Sequence, residues 1–217
     1  GRSDSPEGPF VDFFGKDMSA EEDNMPILTY AYRFNNHAGW AGVAHCAVFD
    51  NHEGKFFMAH QGRLSPENFM MDLHIREVFW TEDGWPVVSP QRYAGDFQRA
   101  VSERDLLGKW EILCIRDVGN SDLDLRDGQV KPDDLRLTDN RRNTPKELII
   151  SADKSVGGEF SGSWKYRSVG ILDLVIEGEE ISGLRLFIGH DWENHTNTVL
   201  FTGIDRKGQS VWGKKIQ

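Results

Sequence analysis

Apolar and polar residues alternate with a period of two in short runs through the first part of the chain, which is the pattern of half-buried β-strands. One run covers residues 27–34 and carries three aromatic side chains on one face. Residues 42–49 are a run of small apolar residues, a second apolar run covers residues 55–60, and the polar turn between them contains Gly54. This spacing predicts two antiparallel strands joined by a turn.

The alternation is clearest over residues 72–81. Leu73 begins an apolar row on one face, and His74 begins a mixed polar and apolar row on the other. An acidic turn at residues 82–84 and a short apolar run at residues 85–88 follow. The first part of the chain is therefore predicted to be a series of short antiparallel strands with little helix.

The second part of the chain shows the same pattern, and turn residues separate its runs. Seven strands are predicted, at residues 106–115, 147–151, 158–166, 171–177, 181–188, 198–204 and 210–214. Seven short strands at nearly regular spacing favour a small closed antiparallel barrel or a sandwich. The acidic stretch 120–143 is predicted to be a long loop.

Charge divides the chain into two parts. Residues 1–98 carry a net charge of −8 and 16 of the aromatic side chains, whereas residues 99–217 carry −2 and 8 aromatic side chains. We therefore predict two domains, residues 1–97 and residues 98–217. The net charge of −10 argues against a nucleic-acid partner, because phosphate backbones are bound by clustered cations. No apolar stretch is long enough to span a membrane.

Two cysteines, Cys46 and Cys114, are too few for a disulfide framework and are predicted to be buried free thiols. The chain begins without methionine and shows no signal peptide. It is expected to be a processed product, an expressed fragment or a piece of a longer protein.

Common catalytic and metal-binding motifs are not found in the sequence. Seven histidines occur without a zinc-type spacing, and Asp122, Asp124 and Asp127 precede a glycine at the wrong position for a calcium loop. No nucleophile elbow, phosphate loop or dinucleotide fingerprint is present. Carboxylate pairs near residues 72–77 and 82–83 give no sign of converging in a cleft. His45 stands out because it lies within a strand of small residues, where a core histidine is the simplest interpretation.

Several segments resemble the arabinanases of glycoside hydrolase family 43. The resemblance rests on residues 1–12, 15–18, 42–49, 54–58 and 73–90, the last of which contains HIREVFWTEDGWPVV. These motifs fall in the order and spacing found at the end of that family's five-bladed β-propeller, and residues beyond about 95 resemble the β-barrel appended to some members. The resemblance implies an all-β fold: the last blade or blades of a propeller followed by a small antiparallel barrel.

The resemblance also implies a function. The family cleaves arabinan with inversion, using carboxyl groups about 6.5–9.5 Å apart to admit water. All of its catalytic acids would lie upstream of Gly1, so no catalytic residue is assigned here. The chain is expected to be one part of an endo-1,5-α-L-arabinanase, inactive alone and completed by an N-terminal propeller segment. Its substrate would be arabinan or arabino-oligosaccharide, and its location extracellular or periplasmic.

Two site residues carry over by position. His45 matches the histidine that holds a metal, usually calcium with water ligands, on the propeller axis. The family shows Gly-His-Asn there, whereas this chain has Ala44 and Cys46 on either side of the histidine. Arg63 matches an arginine at the mouth of the last blade and is a candidate for substrate binding, with a structural ion pair as the alternative. Trp40 is predicted to pack in the core rather than on a sugar.

Two other functions stay open. The chain could be a non-catalytic arabinan-binding or scaffold module, with sugar platforms among the barrel tryptophans Trp110, Trp164, Trp192 and Trp212. Their alternating neighbours make core packing the more natural role for most of them. A lipocalin-like barrel for a small ligand is the third interpretation, and it rests on residues 107–111.

Overall fold

Four antiparallel strands follow one another in the first part of the chain. The computed structural model describes residues 1–20, 23–64, 70–95, 98–118 and 142–216. The strands are β1 (Trp40–Asp50), β2 (Phe56–Leu64), β3 (Asp72–Trp80) and β4 (Pro86–Val88), and each pairs with the next in the order β1-β2-β3-β4. Four strands in this order make a sheet of the size of one propeller blade.

Eight further antiparallel strands close into a barrel, in the order β10-β11-β12-β5-β6-β7-β8-β9. They are β5 (Gly108–Ile115), β6 (Lys146–Ile150), β7 (Ser155–Gly158), β8 (Gly162–Ser168), β9 (Ile171–Ile176), β10 (Glu179–Asp191), β11 (Thr196–Ile204) and β12 (Ser210–Lys215). A short 3₁₀ turn, Glu103–Leu106, leads into β5. Closure leaves the barrel without a free edge. The predicted all-β class, with a sheet followed by an antiparallel barrel, is confirmed.

The interior of the barrel is filled with side chains. Trp110, Leu148, Leu174 and Phe201 are completely buried in one hydrophobic cluster. The indole of Trp110 lies 5.2 Å from the ring of Phe201, and its Nε1 donates to the carbonyl of Leu106 at 2.8 Å. This packing is the expected filling of an eight-stranded barrel, whose bore is only wide enough for its own side chains.

A second hydrophobic cluster lies between the four-stranded sheet and the outside of the barrel. Met58 and Val78 contribute from the sheet, and Leu113, Ile115 and Trp212 contribute from β5 and β12. The register explains the division, because successive residues of a strand point to opposite faces. Trp110 and Ile112 face the barrel interior, whereas Leu113 and Ile115 of the same strand face the sheet. This second cluster therefore joins the two units.

The strand predicted over residues 72–81 is correct, and its two faces are those predicted. The mixed polar row is the buried one: His74 and Arg76 are 0% exposed, whereas Leu73 is 73% exposed. The predicted turn at residues 82–84 is also present, closed by a hydrogen bond from the amide of Thr81 to the carbonyl of Trp85.

Two details of the predicted strands are wrong. Residues 27–34 form only isolated bridges, through Ile27 and Tyr32, because the segment crosses over to the barrel and binds it at separate points. Strand β7 (Ser155–Gly158) is missing from the prediction, and the strand predicted at residues 158–166 begins only at Gly162, so the barrel has eight strands and not seven. A turn separates β7 from β8, and glycines with positive φ flank it at Gly158 and Gly162.

Both cysteines are exposed rather than buried. Cys46 lies on β1, whose outer half is solvent-exposed, and Cys114 lies at the end of β5 where the barrel opens. Most of the loop predicted at residues 120–143, including the three aspartates considered for calcium, falls outside the described residues. Residues 96–97, at the predicted domain boundary, also fall outside them, so the boundary stays a prediction. Among the described residues, no helix has the length and apolar character to cross a membrane.

Candidate functional site

His45 lies in an irregular part of the edge strand β1. The pairing of β1 with β2 shifts register twice, between Ala41 and Ala44 and between Ala44 and Ala47. His45 lies within this bulged stretch and has a φ of 57°, an uncommon conformation for a residue other than glycine. Its side chain is exposed. The interpretation as a core histidine is therefore wrong, and the metal-binding role stays a prediction.

A groove of about 440 Å³ runs along the sheet beside this histidine. It is lined by His45, Ala47, Ala59, His60, Gln61, Met71, Asp72 and Leu73. Within the described ranges, no three His, Cys, Asp or Glu side chains converge as a metal site. Calcium takes six to eight oxygen ligands. The exposed imidazole of His45 therefore fits calcium only as one ligand among several that water or other residues supply.

Arg63 lies opposite Ala41 on β2, near the start of the bulged stretch. Its side chain is half-buried and passes Gly42, with its Cδ and Nε 3.8 Å from the point that a Cβ there would occupy. The buried Nε has no hydrogen-bond partner among the described residues. Among the described residues, Arg63 forms no salt bridge. The alternative of a structural ion pair therefore gains no support, and the substrate-binding role stays untested.

A fully buried arginine lies between the sheet and the barrel. Arg76 Nε donates to His60 Nε2 at 2.9 Å, Nη1 to the carbonyl of Ser89 at 2.8 Å, and Nη2 to Tyr32 Oη at 2.6 Å. Its guanidinium also lies 5.0 Å from the ring centre of Trp212 in the barrel. Since all three acceptors are formally neutral, the positive charge is stabilised by dipoles and an aromatic face rather than by a carboxylate at hydrogen-bond distance.

These contacts fix the tautomer of His60. Its Nε2 must accept from Arg76, so the proton is on Nδ1, which lies 2.9 Å from the carbonyl of Gln61. Burial, with the charge of Arg76 adding to it, lowers the pKa of His60 from 6.5 to about 4. His60 is thus held neutral at physiological pH.

His74, opposite His60 on β3, is also buried and neutral. Burial and the charge of Arg76 lower its pKa to about 3. Neither ring nitrogen has a partner among the described residues. The ring packs edge-on to Trp40, with centres 4.3 Å apart, and fills the space left by Gly62, where a Cβ would lie 2.9 Å from Cε1. Because neither nitrogen is paired with a described residue, replacing this imidazole would remove no such hydrogen bond. Leaving its polar atoms buried and unpaired is itself costly.

An arginine clamped between two indoles connects the sheet to the β10–β11 turn. The Arg92 guanidinium lies 5.1 Å from the ring centre of Trp40 and 4.8 Å from that of Trp192. Trp192 Nε1 donates to the Arg92 carbonyl at 3.0 Å. Trp40 is only 6% exposed, which confirms its predicted core role, and His37 stacks on it at 5.3 Å. The arrangement holds the start of β1 against the barrel.

A buried ion cluster lies close by. Lys214 Nζ is 2.8 Å from Glu193, 3.0 Å from Asp191 and 3.4 Å from Glu111. Burial alone would lower the pKa of Lys214, but the carboxylates, Glu193 foremost, raise it. Burial raises the pKa of Glu111. Gln91, from the end of the sheet, donates to Glu193 at 2.5 Å, so the cluster also joins the two units.

The barrel tryptophans proposed as sugar platforms are core residues for the most part. Trp110 and Trp212 are 0% exposed and Trp164 is 4% exposed. Trp192 is half-buried and its face is covered by Arg92. Core packing, the simpler interpretation, is confirmed for the first three, so the binding-module hypothesis loses most of its candidate platforms.

Both carboxylates of the turn at residues 82–83, considered as acid and base, have structural partners. Glu82 forms a salt bridge with Arg167 at 2.9 Å, and Asp83 accepts from the Thr81 hydroxyl at 2.6 Å. Sequence reasoning missed the buried groups Arg76 and Lys214. The alternation along β3 places Arg76 on one face with His74, but nothing in the sequence identifies that face as the buried one.

Comparison with known proteins matches the barrel to a family model and nearly the whole chain to two relatives. Residues 90–213 match the family model GH43_C, described as a C-terminal lipocalin-like domain. The chain is 22% identical over 234 aligned positions to extracellular endo-α-(1→5)-L-arabinanase 2 of Bacillus subtilis, covering 99% of this chain and 45% of that protein. It is 24% identical to the extracellular endo-α-(1→5)-L-arabinanase of Thermotoga petrophila, covering 100% and 45%.

Solved structures show the same fold. The family 43 glycoside hydrolase YxiA protein of Bacillus licheniformis matches with a TM-score of 0.80 and 21% identity, over 99% of this chain and 47% of that one. The endo-1,5-α-L-arabinanase of Thermotoga petrophila matches with a TM-score of 0.76 and 21% identity, over 100% and 48%. The chain thus spans about half the length of the relatives it matches.

Proposed function

This chain belongs to the GH43_C family of C-terminal lipocalin-like domains, and from that premise we propose that it is one part of an extracellular endo-1,5-α-L-arabinanase of glycoside hydrolase family 43. The sheet β1–β4 would be the last blade of a five-bladed propeller, and the barrel would brace it. The catalytic carboxylates would be on an N-terminal propeller segment.

The exposed edge strand carries this proposal. Every residue from Ala44 to Asp50 is exposed, including Val48 at 59% and Phe49 at 46%. On β3, two strands away from this edge, Leu73 is 73% exposed. Natural sheets seldom leave a long apolar edge in water, since it invites pairing with other chains. A preceding blade that packs on this face would cover it and would place β1 at the propeller axis.

In the assembled enzyme, the chain would supply two groups near the arabinan chain. His45, on the exposed bulge of β1, would provide one imidazole nitrogen to a calcium ion whose other ligands are oxygens of water or of the N-terminal segment. Calcium would bias the pKa values of nearby carboxyl groups by its charge. Arg63, whose buried Nε has no partner among the described residues, would contact sugar hydroxyls or orient the site.

Assembly provides the test. The 217-residue chain alone should not hydrolyse arabinan, whereas the chain extended by the coding region upstream of Gly1 should. His45→Ala in the extended protein should lower activity and abolish its sensitivity to calcium chelation, and the exposed His52→Ala serves as the matched control. Arabinan hydrolysis by the purified chain alone would overturn the proposal.

A further inference from the structure

The apolar filling of the barrel stops short of one end. Along β5 the inward-facing residues are Trp110, Ile112 and Cys114. Trp110 is 0% exposed and Ile112 is 3% exposed, whereas Cys114 is exposed to solvent. The interior is therefore packed up to Ile112 and open beyond it. A ligand cannot enter the packed interior, but the open end forms a cup of about 410 Å³.

At this cup the inward-facing side chains change from apolar to basic. On β6, Leu148 and Ile150 are buried in the barrel core, while Lys146, two positions earlier on the same face, pairs with Ile112 and is exposed. Arg116, just beyond the end of β5, also lines the cup. Apolar rows that end in cations point positive charge into the mouth of the barrel.

The lining of the cup is basic in an acidic protein. It consists of Ile112, Cys114, Arg116, Val118, Arg142, Asn143, Thr144, Lys146, Phe160 and Gln209. None of these lining residues is acidic, whereas the whole chain has a net charge of −10. The nearby Asp205 accepts the amides of Lys207 and Gln209 with Oδ1. Arg142 donates to the carbonyl of Ala38, and the other two cations among the described lining residues are Arg116 and Lys146.

The other walls suit a ring with hydroxyl groups. Lys146 Nζ lies 5.4 Å from the ring centre of Phe160, so a cation and an aromatic face adjoin each other. Ile112 and Val118 add apolar surface, and the amide of Gln209 and the hydroxyl of Thr144 add hydrogen-bonding groups. A few polar groups converging on an apolar hollow are typical of a small-ligand site.

We propose that the open end of the barrel binds a carboxylate-bearing sugar, with Arg116 and Lys146 pairing with the carboxylate and Phe160 contacting the ring. A guanidinium and an ammonium on two strands match one anionic group, and the hydroxyl and amide donors match the remaining oxygens of a sugar. The site would hold the protein on acidic polysaccharide, and it is separate from the groove beside His45. It does not depend on the proposed arabinanase activity.

Nuclear magnetic resonance titration of the 217-residue chain tests the proposal. Digalacturonate should give saturable shifts of the amides around Cys114, Lys146 and Gln209, and the affinity should rise as ionic strength falls. Neutral arabinobiose should leave these amides unchanged. Inorganic phosphate should bind more weakly, because it cannot use the wall that includes Phe160.

Charge removal gives the second arm. Arg116→Gln combined with Lys146→Gln should weaken digalacturonate binding by about tenfold or more, since a charged hydrogen bond contributes about 1.5–3 kcal/mol. Arg185→Gln, which removes an exposed arginine of β10, should not change it. Absence of saturable shifts at the cup, unchanged affinity of the double variant, or equal affinity for phosphate would overturn the proposal. Failure here would leave arabinan hydrolysis by the extended protein unaffected.

Discussion

Acidification should destabilise this protein through the two neutral histidines buried beside Arg76. His60 has its pKa lowered from 6.5 to about 4, and His74 has its pKa lowered to about 3. Both stay neutral in the folded state at pH values where the unfolded chain binds protons. The stability that the two neutral histidines contribute is fully present above about pH 6.5. It is lost as the pH falls towards their folded pKa values, because the unfolded state then binds more protons.

The magnitude follows from the linkage. At pH 4.5 each histidine should cost about 2.5 kcal/mol relative to pH 7, so the pair should cost about 5 kcal/mol. Burial raises the pKa of Glu111, which works in the opposite direction over part of this range. A comparison of variants removes that contribution because it is common to all of them.

Urea unfolding at pH 7 and at pH 4.5 provides the assay. His74→Leu removes one of the two groups, and because neither nitrogen of His74 has a partner among the described residues, it should cost little stability at pH 7. Between the two pH values the variant should lose about 2.5 kcal/mol less than the parent protein. The exposed His52→Gln is the control and should lose as much as the parent. Equal acid sensitivity of parent and His74→Leu, or a His74 pKa near 6.5 by nuclear magnetic resonance, would refute the reasoning.

Two substitutions test buried contacts, one between the sheet and the barrel and one within the sheet. Lys214→Met leaves three buried carboxylates without their cation and should lower the free energy of unfolding by about 3–5 kcal/mol. The exposed Lys165→Met is the control and should not lower it. A loss below about 1 kcal/mol for Lys214→Met would contradict the cluster's role. Gly62→Ala should cost about 1–3 kcal/mol, since its Cβ would lie 2.9 Å from Cε1 of His74. In Gly157→Ala the nearest atom is 3.9 Å away, so calorimetry should show Tm almost unchanged there and clearly lowered at Gly62.

The periodicity of β3 predicted its position and its two faces but not which face is buried. Hydrophobicity favours the row of Leu73, yet the row of Arg76 is buried. The reason lies far away in the sequence: Arg76 is satisfied by His60, Ser89 and Tyr32, the last 44 positions distant. A local pattern carries no information about acceptors that only the tertiary structure brings together.

The sequence contains a sign of the turn between β7 and β8, in its glycines rather than in its apolar residues. A Cβ at Gly158 would lie 2.5 Å from the Glu147 carbonyl oxygen, and one at Gly162 would lie 1.8 Å from that of Val175. Both positions therefore require glycine, and two glycines four residues apart could have marked the break. The register shifts around His45 gave no such mark, since residues 43–49 are a run of small and apolar side chains interrupted only by His45.

The core shared by sheet and barrel restricts how these two units can evolve. Leu113, Ile115 and Trp212 belong to barrel strands, yet they pack against Met58 and Val78 of the sheet. A substitution at one of these contact positions in either unit therefore also changes the surface against which the other packs, and the two must change in step. Recombination that exchanged the barrel for an unrelated module would expose half of a hydrophobic core, so descendants should inherit the two units as an inseparable pair.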